Sequence, residues 1–144
     1  MIAVMGRLMA AKRAHDISAL LALYTEDCVL EQPSLGIRSV GHAAMRPSLL
    51  RFAAVFPDYQ RDFAGAAVDG SRLVSWGEAR MTVTGCFGPW RPNGQVARVM
   101  TFVLFDFAPD GRIAYEGHHW DLASLCRQSG LPLEAFLPTG APSP

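Results

Sequence analysis

The stretch VARVMTFVLFDFAPDGRIAYEGHHWDL, residues 96–122, decides the fold. Val96 to Phe107 is rich in β-branched and aromatic residues, Pro109-Asp110-Gly111 supplies a turn, and Arg112 to Trp120 runs back. Two antiparallel strands are the expectation. Asp121 then caps a short helical pattern carrying Leu122, Leu125 and Cys126, which stops near Ser129-Gly130. Working towards the N-terminus, Arg61 to Val68 and Arg72 to Thr84 read as strands around Asp69-Gly70, and Pro92-Asn93-Gly94 marks a further turn. Before Arg61 the period is helical. Met1, Met5, Leu8 and Lys12 share one face; Asp16 caps a second helix with the stripe Ile17, Leu20, Leu21 and Tyr24. Cys28 to Glu31 is a short strand closed by Gln32-Pro33-Ser34. A third helix carries Met45, Leu49, Phe52 and Phe56, with Pro47 in its first turn or kinking it. Helices first and strands afterwards predict an α+β domain with the helices on one side of a curved sheet, an arrangement that encloses a pocket.

The 144 residues suit one domain, placed at 1–134, with a disordered tail over 135–144 that is richest in Pro and small residues from Pro138 onward. Half the residues are hydrophobic and 18% are charged, which excludes an intrinsically disordered chain. The 13 basic and 13 acidic residues are scattered, so no nucleic-acid partner is expected. Met1 to Met5 is too short for a signal-peptide core and no apolar run is long enough to span a bilayer, so no membrane association is expected. Cys28, Cys86 and Cys126 are too widely spaced for a zinc cluster or a disulfide framework; mostly buried free thiols in a reducing cytoplasm, with no metal, are the expectation.

Four segments, in this order, resemble the SnoaL-like polyketide cyclase group of the NTF2-like superfamily: Asp16 to Tyr24, Glu31-Gln32-Pro33, Phe56-Pro57-Asp58, and Asp110 to Ile113 continuing through Trp120-Asp121-Leu122 to Leu131. The likeness spans about residues 5 to 132. It implies a cone-shaped antiparallel sheet packed on three helices, a deep apolar pocket for a small apolar molecule, no cofactor, and a homodimer. Function must come from the site, because one fold hosts many chemistries. The ketosteroid isomerase pattern is excluded: its base falls at Gln32, and its oxyanion-hole groups fall at Leu8 and Val103. The limonene epoxide hydrolase trio retains only Arg80, with Thr82 and His118 at its carboxylate positions. The aldol cyclase pattern keeps its amide at Gln32, loses a histidine at Val103, and has His118 where an acid/base aspartate is usual.

An imidazole titrates near 6.5, and burial favours its neutral, base-competent form. Strand alternation puts Ala114, Glu116, His118 and Trp120 on one face and His119 on the other. Glu116 therefore stands beside His118 and can orient its ring, while Gln32 can polarise a substrate carbonyl. Wall residues are sought among Phe52, Phe56, Trp76, Met100, Thr101, Phe102 and Val103, with the Tyr24 hydroxyl at the rim and Arg80 as a substrate contact. The plainer structural alternatives are a Glu116–Arg80 ion pair across the sheet, a structural His118, a buried amide at Gln32 and an N-cap at Asp121. His15 and His42 read as solvent-facing, and the loop from Gly85 to Pro92 reads as a flap over the pocket.

Overall fold

A computed structural model describes residues 1–137; of the disordered tail expected over 135–144, residues 138–144 lie outside the described residues. The chain builds α1 (Ile2–Arg13), α2 (Ile17–Leu21), β1 (Tyr24–Gln32), β2 (Ile37–Val40), α3 (Gly41–Val55), β3 (Gln60–Asp69), β4 (Arg72–Thr82), β5 (Val96–Phe107), β6 (Ile113–Trp120) and α4 (Leu122–Ser129), with short 3-10 turns at Pro33–Leu35 and Leu133–Ala135. Past residue 134 the chain still packs: Ala135 and Phe136 lie against the core, the Phe136 ring 5.4 Å from Phe87.

One curved sheet has the order β2-β1-β6-β5-β4-β3. Its β3 to β6 meander is antiparallel, as the turns at Gly70 and Gly111 require with their positive φ. The expectation of a wholly antiparallel sheet needs one correction, because β1 and β6 are parallel. A parallel pair needs a long crossover, and here the rest of the domain supplies it.

The same pairing corrects the end of α2. Asp16 does cap that helix, its Oδ1 accepting from the Ala19 amide at 2.9 Å. The helix closes after one turn, however, and Tyr24 begins β1, opposite Ile113 of β6. The hydrophobic stripe fitted a helix, but ladder pairing overrode the local period. Pro47 lies inside α3 and beyond its first turn, on the exposed face where solvent can take the hydrogen bond the ring removes. Asp121 caps α4 through the Ser124 amide, and Gly130 ends it in the left-handed region.

Alternation along β5 buries Ala97, Val99, Thr101, Val103, Phe105 and Phe107. On β6 it buries Glu116, His118 and Trp120, which stand opposite Phe105, Val103 and Thr101. The inner face packs on α1, α2 and α3 at one end and on α4 at the other. The outer face carries Val74, Met100 and Phe102, all exposed, and the half-buried Trp76. The Trp76 ring covers Gly65 of β3, where an added Cβ would collide with it.

Candidate active site

The inner faces of β6 and β1 meet α1 and α3 around a narrow hollow lined by Lys12, Gln32, Phe52, Phe56, Tyr59, Glu116 and His118, among others. His118 is 2% exposed, and its ring stacks on Trp120 with centroids 4.4 Å apart. Its Nδ1 is 3.9 Å from Glu116 Oε1, while Nε2 is buried with no hydrogen-bond partner. Burial pushes its pKa well below the ordinary histidine value, and the charges of Lys12, Arg61 and His119 push the same way. The imidazole is therefore neutral at neutral pH.

Glu116 is the hub of the polar interior. Lys12 of α1 donates to its Oε1 at 3.0 Å, and the Tyr24 hydroxyl donates to Oε2. Burial and the neighbouring carboxylate together drive the Tyr24 pKa well up, so this phenol stays protonated. The Glu116–Arg80 ion pair is thus replaced by a Lys12–Glu116–Tyr24 cluster. Arg80 alternates to the exposed outer face of β4, which removes it as a substrate contact. Trp76, Met100 and Phe102 are displaced from the pocket wall for the same reason: each has the outer parity of its strand.

Of the remaining expected residues, Gln32, Phe52 and Phe56 line the hollow with His118 and Glu116. Tyr24 is fully buried behind the hollow rather than at its rim. Thr101 and Val103 have the inner parity but stand behind the lining; Thr101 Oγ1 accepts from Arg61 and donates to the Gly77 carbonyl. The loop from Gly85 to Pro92 is no flap, since Phe87 packs on Phe136 and the loop lends no lining residue. Its Cys86 is exposed, whereas Cys28 is buried and Cys126 is half-buried. His15 is exposed as expected yet borders the hollow, with Nε2 3.0 Å from the Pro57 carbonyl; His42 is half-buried against the Tyr24 carbonyl.

Three participants escaped the sequence reading. Lys12 had a usable signal, a charge four residues beyond Leu8 on the core-facing stripe of α1. Arg61 is 3% exposed on β3, and Tyr59 precedes that strand. Nothing local marks either, because their burial depends on where β3 closes the sheet.

The deep pocket expected is instead tightly filled. The hollow has about 530 Å³ of space between atoms, part of it open to solvent, and about 20 Å³ that admits the centre of a water molecule. Phe52, Phe56, Tyr59 and Trp120 pack ring against ring there, with neighbouring centroids 5.0 to 6.1 Å apart. Such space holds a water. A larger guest requires side chains to move, and half-buried Phe52 is the least confined of the four. No group of three His, Cys, Asp or Glu residues among those described is placed to hold a metal. No helix among the described residues is long and apolar enough to cross a membrane.

The fold is similar to that of a Catenulispora acidiphila protein with a ketosteroid isomerase-like fold, solved in complex with trimethylamine (18% identity, 91% of this chain and 95% of that one, TM-score 0.76). It is similar also to a Shewanella denitrificans protein assigned as a SnoaL-like polyketide cyclase (15%, 87% and 93%, TM-score 0.76). A third is a Mycobacterium tuberculosis epoxide hydrolase of the limonene epoxide hydrolase-like type (16%, 89% and 87%, TM-score 0.68). At these identities the likeness is one of fold. No curated protein matches the sequence. The family model for the SnoaL-like domain matches residues 5–116, from α1 through the Glu116 hub, and the chain belongs to that family.

Proposed function

We propose that this chain is a cofactor-independent acid–base enzyme of the cyclase or isomerase type, acting on a small carbonyl compound. The observation that carries the reading is His118: buried, neutral, backed by Glu116 at Nδ1, and unpartnered at Nε2. In this reading the Nδ1–H faces Glu116, leaving the Nε2 lone pair as the base. Nε2 takes a proton from the carbon beside the substrate carbonyl, giving an imidazolium and an enolate. Gln32, Tyr59 and Lys12 offer donors to the enolate oxygen. In an aldol closure the enolate carbon bonds to a second carbonyl carbon, and the new alkoxide takes the proton back from Nε2. Glu116 limits the cost of the transient imidazolium. Phe52 swings outward to admit the substrate.

The expected pH dependence follows from the sign of the histidine shift. A base with a lowered pKa is competent above that value, so the acid limb of the rate profile lies below about 6.5 and the rate is flat through neutrality. Exchange of the α-hydrogens of cyclohexanone for deuterium, followed by NMR, measures the step directly. Lys12→Met removes a cation from beside the ring and moves the limb upward. A limb at or above 6.5 in the parent, or no catalysed exchange, defeats the enzyme reading; ligand binding without exchange leaves a small-molecule-binding protein. An epoxide hydrolase or dehydratase, with His118 activating a water, is supported by room for a water beside the ring and weakened by the outward position of Arg80.

We propose in addition that a second copy covers the outer sheet face, where Val74, Met100 and Phe102 are 36%, 44% and 50% exposed. Sedimentation is expected to show a dimer that Phe102→Glu converts to monomer; a monomeric parent overturns it. The three free cysteines fit a reducing compartment such as the cytoplasm.

A further inference from the structure

The hollow has an imbalance that proton transfer leaves unused. Among the described residues, the interior between the helices and the sheet holds two cations, Lys12 and Arg61, and one carboxylate, Glu116. Lys12 is paired with that carboxylate. Arg61 has only neutral partners: Nε donates to Thr101 Oγ1 at 2.8 Å, Nη1 to Ser75 Oγ at 3.2 Å, and Nη2 to the Ser75 carbonyl at 3.0 Å. The Phe63 ring covers the guanidinium at 4.8 Å. A charge taken from water without a counter-ion is unfavourable, and it favours whatever anion can approach.

Hydrogen bonding is lopsided in the same direction. The Tyr59 hydroxyl and the Trp120 indole nitrogen are buried without partners, as is His118 Nε2. Trp120 can only donate, Tyr59 can donate, and His118 takes either role according to its tautomer. Tyr59 and His118 line the hollow, and Trp120 stacks on His118. Donors at Tyr59 and Trp120 therefore lack acceptors, and the interior has a surplus of one positive charge.

We propose that the hollow binds a small ligand through an ionised carboxylate, so that the carbonyl substrate is a keto acid. The inference rests on the site described above and deepens that reading. An enolate made by proton transfer to His118 cannot supply the missing charge, because the imidazolium formed with it leaves the net charge unchanged. The imbalance exists in the resting protein, so its complement must already be anionic on arrival. The titratable or charged groups that line the hollow are His15, Lys12, Tyr59, Glu116 and His118; Tyr24 on β1 and Arg61 on β3 stand behind the lining, Tyr24 bonded to Glu116 and Arg61 to Thr101. Cys28 packs behind Tyr24, and His119 lies on the outer face.

Acetate and acetamide test this, having the same shape and different charge. Each is titrated at pH 7.5 and constant ionic strength, reading the Trp120 indole N–H resonance, assigned with Trp120→Phe. Acetate is expected to bind at least about tenfold more tightly, the equivalent of one pKa unit. Arg61→Met erases the preference. Glu116→Gln, which keeps an acceptor for Tyr24, removes the opposing charge and enlarges the preference by a similar factor; it carries the test if Arg61→Met does not fold. Equal affinities, binding of neither probe, or an unchanged ratio in Glu116→Gln overturns the proposal. Acetate preference without cyclohexanone exchange defeats the enzyme reading and leaves this one, whereas exchange without the preference does the reverse.

Discussion

His118→Ala is expected to slow the catalysed exchange by about 100- to 10,000-fold, the usual contribution of a positioned acid–base group. His118→Phe is the informative companion, because it keeps a ring to stack on Trp120 and removes both nitrogens. The two variants separate chemistry from packing: both lose exchange, and the alanine also loses packing around the stack. Thermodynamic linkage gives a second readout that needs no substrate. Burial depresses the pKa of folded His118, so below about 6.5 the unfolded chain binds a proton that the folded chain refuses. Stability therefore rises with pH across the window between the lowered pKa and 6.5, by up to about 1.4 kcal/mol per pH unit. On acidification that stability is lost. In His118→Phe this part of the slope is expected to vanish. A parent whose urea midpoint stays level from pH 7 to 5 contradicts the buried neutral imidazole.

Glu116→Ala is expected to lower the unfolding free energy by about 3 kcal/mol, the lower end of the cost of breaking a buried ion pair. Two losses combine. Lys12 keeps its charge with no carboxylate, and the fully buried Tyr24 hydroxyl loses its acceptor. The lower end applies because the Lys12 side chain is 10% exposed and can recover some water. Glu116→Gln retains an oxygen for Tyr24 and should cost less than Glu116→Ala, while Lys12→Met removes the cation and keeps the apolar stem against Phe52. Chemical denaturation at pH 7 ranks the three. If Glu116→Ala melts with the parent, the cluster is not holding α1 to β6.

Gln32 and His118 show how far a local pattern reaches. A histidine on an alternating strand has only two directions to face, and the buried neighbours Glu116 and Trp120 choose one of them. Gln32 ends a short strand before Pro33, and that strand has to join the sheet beside β6 for its amide to reach the hollow. Arg80 and Trp76 failed for want of parity. Chemical type suits both to a site, but alternation along β4 turns them outward and gives the inner face to their strand neighbours Ala79 and Gly77.

Period, turn residues and caps act over a few bonds, and that is why the sequence by itself determined the strands of the meander, the caps at Asp16 and Asp121, the α+β class and the grouping of Glu116, His118 and Trp120 on one face of β6. The tertiary structure alone decided that β1 runs parallel to β6, that Lys12 rather than Arg80 meets Glu116, that Arg61 is buried without an acid, and how little room is left between the rings. Those outcomes depend on which distant segments share a face and on how their side chains fill the space between them. Burial, pairing and charge balance are properties of the assembled interior, and no local repeat encodes them.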